Sequence, residues 1–207
     1  MTTIMIIEAT TVVSSSVIVV MITTAVVSSV IVVKTTATMI VVADTGPIHY
    51  LFLIGRLDIL PALFGRLLVP TSVINFELQD AGTPEALRKF LTNPPEWLMV
   101  SKRPLTIPPS LSTLGLGERE AIALALEIRA DLLLSDDAAA RRRAARLGVV
   151  STGTLGIIEE GAYRGLVGID EALTRLTTMT NFHFSTELIK RVRDLHQRRL
   201  KNRDSNA

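Results

Sequence analysis

From Met39 onward, short unbroken apolar runs alternate with longer stretches in which apolar residues recur every three or four positions. That is the pattern of buried strands separated by helices. Residues 40–43, 67–69, 97–100, 132–134 and 149–150 read as strands. After the first of them, Pro47 suits an opening helical turn, and Leu51, Ile54, Leu57, Leu60 and Leu63 keep helical spacing, with breaks expected at Gly55 and Pro61. Thr71 or Ser72 can cap a helix carrying Val73, Ile74 and Leu78, and another helix is predicted over 84–91. The proline-rich stretch 104–109 predicts a loop. Gly117 opens a helix with Ala121, Ile122, Leu124, Ala125 and Ile128 on its apolar side. An Ala- and Arg-rich helix runs to Leu147 and stops at Gly148, residues 152–156 turn into a further helix, and two more helices close the chain. Strands alternating with helices predict an α/β fold, a parallel sheet covered by helices on both faces.

The first 38 residues break this pattern. Residues 9–33 contain only Val, Ile, Thr, Ser, Ala and Met, between Glu8 and Lys34. The run is long enough to cross a bilayer, but it lacks the basic start and cleavage site of a secretory signal. Its Thr, Ser and Val content also disfavours a helix. Three readings stand: a mis-called start ahead of a native Met39, a membrane anchor, or an extra strand or disordered tail. In an anchor, Lys34 on the domain side would favour a cytoplasmic domain, and the other main readings also place it in the cytoplasm. The expected organisation is a leader over 1–38, a domain over 39–184, and a basic C-terminal helix and tail over 185–207.

Composition narrows the chemistry. The chain has no cysteine, which excludes disulfides and thiolate metal sites, so any metal must be held by carboxylates or by His49, His183 or His196. These histidines lack metal-site spacing, and His49 reads as a packing or surface residue. Lys and Arg number 22 against 20 Asp and Glu, for a net charge of +2. So mild a balance does not by itself imply a polyanionic partner. There is no phosphate-cradling loop and no dinucleotide fingerprint.

Carboxylates stand where α/β proteins place their sites, beyond the carboxyl ends of strands. Asp44 follows the first apolar run, and Asp136-Asp137 follow residues 132–134. Each is also a good helix N-cap, so the inference comes from two such strand ends in one sheet. Glu77 and Glu118 join them, each taken singly as readily a solvated or dipole-favoured helical residue. Grouped carboxylates repel one another unless a cation is present, and Mg²⁺ and Mn²⁺ prefer oxygen ligands. Arg141, Arg142, Arg143 and Arg146 follow the acidic doublet, and the last helix carries Lys190, Arg191, Arg193, Arg198, Arg199, Lys201 and Arg203. The last helix also has an apolar face, which fits an ordinary amphipathic helix, whereas Arg141–143 lie beside the acids and are candidates for weak phosphate contacts.

Three blocks together, "MIVVADTGPIHYLFLIGRLDILPALFGRLLVPTSVINFEL", "LGLGEREAIALALEIRADLLLSDDAAARRRA" and "GVVSTGTLGII", resemble the PIN-domain family in the family's order. The branch is a prokaryotic one related to the toxins of toxin–antitoxin pairs, and the likeness runs from Met39 to about Phe184. It implies a three-layer α/β/α sandwich and a Mg²⁺- or Mn²⁺-dependent ribonuclease. By motif, the acids are Asp44, then Glu77, then Glu118 or Glu120, then Asp136 or Asp137, of which Asp44, Glu118 and the doublet are the implied metal ligands. Thr45 either orients Asp44 or caps the helix. The implied partners are RNA, a separate antitoxin protein and a second copy in a homodimer, with a membrane only if the leader is an anchor. The alternative is a PIN fold without catalysis that binds RNA or protein. A phosphotransfer enzyme with Asp44 as nucleophile is disfavoured, since Thr45-Gly46-Pro47 offers no second carboxylate close by.

Overall fold

The computed structural model describes residues 8–14, 17–24, 27–33, 39–102 and 106–205, with side chains described from Met39 onward except at 76–79. The chain divides into two compact units, Met1–Thr38 and Met39–Ala207.

In the first unit, β1 (Glu8–Ser14), β2 (Val17–Thr24) and β3 (Val27–Val33) form an antiparallel sheet in the order β1-β2-β3. The run that one reading took for a helical membrane anchor is thus divided into strands. The cause is in its composition, because Val, Ile and Thr are stiff at χ1 and suit an extended backbone. Among the described residues no helix is long and apolar enough to cross a membrane.

The second unit holds β4 (Val41–Ala43), α1 (Thr45–Leu53), α2 (Ile59–Phe64), β5 (Leu67–Pro70), α3 (Thr71–Gln79), α4 (Glu85–Thr92) and β6 (Leu98–Ser101). After a single 3₁₀ turn at Pro109–Leu111 come α5 (Leu116–Glu127), β7 (Leu132–Leu134), α6 (Ala138–Arg146), β8 (Ser151–Thr152), α7 (Thr154–Tyr163), α8 (Ile169–Met179) and α9 (Thr186–Asp204). The strands pair in parallel in the order β6-β5-β4-β7-β8. Successive strand residues point to opposite faces. Val41, Ala43 and Leu134 therefore join one core with residues of α1, α2, α7 and α8, while Val42 and Leu133 join a second with α5 and α6. This is a three-layer α/β/α sandwich.

The strand order reverses direction between β4 and β7. From β4 the chain winds outward through β5 and β6, then returns to β7 on the other side. At such a switch point the two crossovers diverge and leave a crevice at the strands' carboxyl ends.

Several local expectations need correction. Pro61 does not break a helix; it sits in the first turn of α2, where a missing N–H is harmless, and the break is at Gly55, whose φ of 68° is left-handed. Thr71 does not cap α3, because it is the helix's first residue and its hydroxyl donates to the Ser101 carbonyl at 2.9 Å, which ties the start of α3 to β6. The last strand is Ser151–Thr152 rather than 149–150; Gly148, at φ 81°, turns Val149 into the core, and Val150 enters the ladder only through its carbonyl. The basic C-terminal helix, α9, packs on the domain. Val192 is buried in the larger core, and Arg199 donates to Glu159 and Glu160 of α7 at 2.5 and 2.8 Å.

Met39–Ala207 is a compact unit by itself, with its own two hydrophobic cores. A chain starting at Met39 is accordingly expected to fold with stability within about 1 kcal/mol of the full chain. Denaturant unfolding of the two forms tests this. Loss of cooperative unfolding in the shorter form would make the first unit part of the fold.

Candidate functional site

A cleft of about 300 Å³ opens at the switch point, lined by Asp44, Thr45, Gly46, Gly115, Leu116, Gly117, Glu118, Asp136 and Asp137. Four of the sequence-predicted acids therefore meet there. Glu120 is not among the lining residues, so the geometry favours Glu118 at the third position. Glu77 lies on α3, but its side chain falls outside the described residues.

Asp44 is where it is because β4 ends. The three residues before it are fully buried, and its own N–H still completes the ladder by donating to the Leu134 carbonyl at 2.9 Å. Its side chain then caps α1, accepting from the Gly46 amide at 3.1 Å. The other oxygen accepts from the Ser135 hydroxyl at 2.6 Å. Capping is thus real, yet it does not account for the position, since Asp44 is only 6% exposed and sits against other acids. Its carboxyl is raised from 3.8 to about 6, chiefly by burial and in smaller part by Glu118 and Asp136, against the Ser135 and Gly46 bonds.

The doublet splits into two roles. Exposed Asp137 caps α6, accepting from the Ala140 amide at 2.5 Å. Half-buried Asp136 is gripped by one residue, Thr154, whose amide donates to one oxygen at 2.7 Å and whose hydroxyl donates to the other at 2.6 Å. Burial raises the Asp136 carboxyl above its ordinary value, against the pull of both Thr154 bonds and of Arg141. Two glycines make room for it. A Cβ on Gly46 would come within 2.9 Å of one Asp136 oxygen, and a Cβ on Gly153 within 2.7 Å of the other. Glu118, in the first turn of α5, folds over Gly115 so closely that a side chain there would collide with its carboxylate.

Ser135 and Thr154 are the site residues that sequence reasoning missed. Of the two roles open to Thr45, orienting Asp44 or capping the helix, neither is the one seen: Ser135 donates to Asp44 and Asp44 itself caps α1. The signal was there: Ser135 directly follows the strand and precedes the doublet, and Thr154 follows the next strand as Thr45 follows the first. Arg141 belongs to the frame as well, since its guanidinium donates to the Ser135 carbonyl at 2.8 Å. Arg142 is exposed and Arg143 half-buried on the same helix. On α9, Arg193 pairs with Asp170 and Arg199 with the α7 acids, so part of that helix's charge holds it to the domain.

Among the described residues no three His, Cys, Asp or Glu side chains close into a metal cage. The donor set nonetheless fits a hard cation that keeps most of its own water. Carboxylate oxygens line an open cleft, and each oxygen of Asp44 and Asp136 has one hydrogen bond, leaving a lone pair.

The family model described as a PIN domain (DUF3368) matches residues 40–198. Among solved structures, a PilT N-terminus domain protein from the hyperthermophilic archaeon Sulfolobus solfataricus P2 is similar at 21% identity and a TM-score of 0.39, over 70% of this chain and 100% of that one. No curated protein matches the chain. With a family match over most of its length, the chain belongs to the PIN-domain family.

Proposed function

We propose that this protein is a Mg²⁺- or Mn²⁺-dependent endoribonuclease, with Asp44, Glu118 and Asp136 as the residues that would hold the ion. PIN domains are generally nucleases, which supplies the reaction class. The observation that carries the reading for this chain is the meeting of its acids in one cleft, with the Asp44 carboxyl raised chiefly by burial and in smaller part by Glu118 and Asp136. Such crowding is costly to a metal-free protein and is relieved by a cation. A bound divalent ion supplies an activated water and neutralises charge that grows on the phosphate oxygens.

The chain's own residues do the positioning. Ser135 and the Gly46 amide fix Asp44, Thr154 fixes Asp136, and Arg141 fixes Ser135. Each bond restrains a carboxylate before substrate arrives, so little reorganisation is left for the reaction. Asp137 keeps α6 in place as its cap, and Arg142 and Arg143 on that helix provide positive charge for the RNA backbone. The reading as a binding module without catalysis leaves this crowding of acids without a purpose. The finer reading, a toxin with a separate antitoxin chain and a homodimeric state, rests on motif order alone.

Cleavage of single-stranded RNA by the purified chain is expected to stop with a chelator and return with Mg²⁺ or Mn²⁺. An Asp44→Asn preparation made in parallel controls for contaminating nuclease. Chelator-resistant cleavage that the variant lacks would remove the metal mechanism while keeping the site.

A further inference from the structure

The carboxylate cleft continues past Thr45 and Gly46. A second cleft of about 280 Å³ shares those two residues and is walled by His49, Tyr50, Asp80 and Asn181. Its chemistry differs from that of the first. Half-buried His49 and Tyr50 meet edge to face at 5.5 Å, and Tyr50 is braced by Phe182, perpendicular to it at 4.6 Å, with Phe184 next at 5.6 Å. Rings held in this way form a fixed apolar wall. The Tyr50 hydroxyl lies 3.5 Å from the Asn181 side-chain oxygen, at the rim. Exposed Asp80 has one oxygen oriented by the Gly82 amide at 2.9 Å. No Lys or Arg is among the described residues that line this cleft. A phosphate would be repelled there, whereas a flat uncharged group with N–H donors would be favoured.

We propose, resting on the ribonuclease reading above, that this second cleft receives the nucleobase beside the scissile phosphate of single-stranded RNA and prefers guanine. Single-stranded RNA is read by packing bases on aromatic side chains and bonding their Watson–Crick edges. Guanine offers N1–H and N2–H₂ side by side, which complements the two oxygens of a carboxylate. Uracil offers one N–H flanked by two carbonyls, and these would face the Asp80 charge. Continuity through Thr45-Gly46 supplies the register, with phosphate over the carboxylates and the adjoining base against Tyr50.

Two measurements on the full chain test this. In the first, guanosine and uridine are titrated separately without metal, followed by the ring resonances of His49 and Tyr50. Guanosine is expected to shift them at concentrations at least about tenfold lower than uridine, and Asp80→Asn to remove most of that difference. Asp80 is exposed at the end of α3, so the substitution leaves the core untouched. In the second, kcat/KM is compared for RNAs that differ only in G or U beside the cleaved bond. A preference for G of about tenfold or more should fall to about twofold in Asp80→Asn. Equal binding of the two nucleosides, or a preference that survives Asp80→Asn, would overturn the proposal. Selective guanosine binding in a chain that cuts no RNA supports the base site and removes the nuclease reading instead.

Discussion

Asp44→Asn is expected to lower RNA cleavage at least about a hundredfold while making the metal-free protein more stable at pH 7. The two effects have one cause. Asparagine caps a helix as well as aspartate and keeps an oxygen for the Gly46 amide or the Ser135 hydroxyl, so the fold survives. What it removes is a buried negative charge. In the folded chain the Asp44 carboxyl is raised to about 6 from 3.8. Between those values the folded state holds the proton that the unfolded state has released, so stability falls as pH rises through that window. Above about 6 the penalty is complete, at about 3 kcal/mol. The variant should therefore unfold at higher denaturant than wild type at pH 7, and the gap should close near pH 4 and below. Added Mg²⁺ should stabilise wild type more than the variant. With the ion present the ionised form is favoured, so the acid limb of the wild-type activity profile should move to lower pH as Mg²⁺ rises. A variant that cleaves at near wild-type rate would end the assignment of Asp44.

What the sequence made legible was whatever depends on local pattern. Unbroken Val and Leu runs marked β4, β5 and β7, and the abrupt change at Asp44 and at Ser135-Asp136-Asp137 marked the strand ends that carry the site. Convergence of the acids followed from α/β topology and from motif order. Roles that depend on one long-range partner were not legible. Asp136 and Asp137 are the same residue type in adjacent positions, and only the approach of Thr154, 18 residues on, separates them. Ser135 reaches Asp44 across 91 residues. The misplacement of β8 has a similar origin, because Val149 and Val150 have strand propensity while the turn at Gly148 directs Val149 into the core. In the leader, β-branched composition is what matches the strands β1, β2 and β3.

The contrast within the doublet gives the sharpest test of how the site is built. Asp136→Asn is expected to lower cleavage by about a hundredfold or more, and Asp137→Asn to leave it within about threefold, since asparagine can still accept from the Ala140 amide and cap α6. Asp137→Ala should cost about 1 kcal/mol of stability through the lost cap, again with cleavage largely retained. Thr154→Val carries the argument one residue further. Thr154 is fully buried, and valine keeps its shape while deleting the hydroxyl that holds one Asp136 oxygen. The Asp136 carboxylate then keeps only the Thr154 amide, and both its orientation and its ionised form are less favoured. Half-saturation by Mg²⁺ should require about tenfold more ion in this variant, a change that a purely structural role for the hydroxyl would not produce. Because Asp44 and Asp136 act on one ion, the Asn double variant should lose little more activity than either single one. Loss of cleavage in Asp137→Asn with activity kept in Asp136→Asn would reverse the assignment and make the Thr154 grip a structural bond alone.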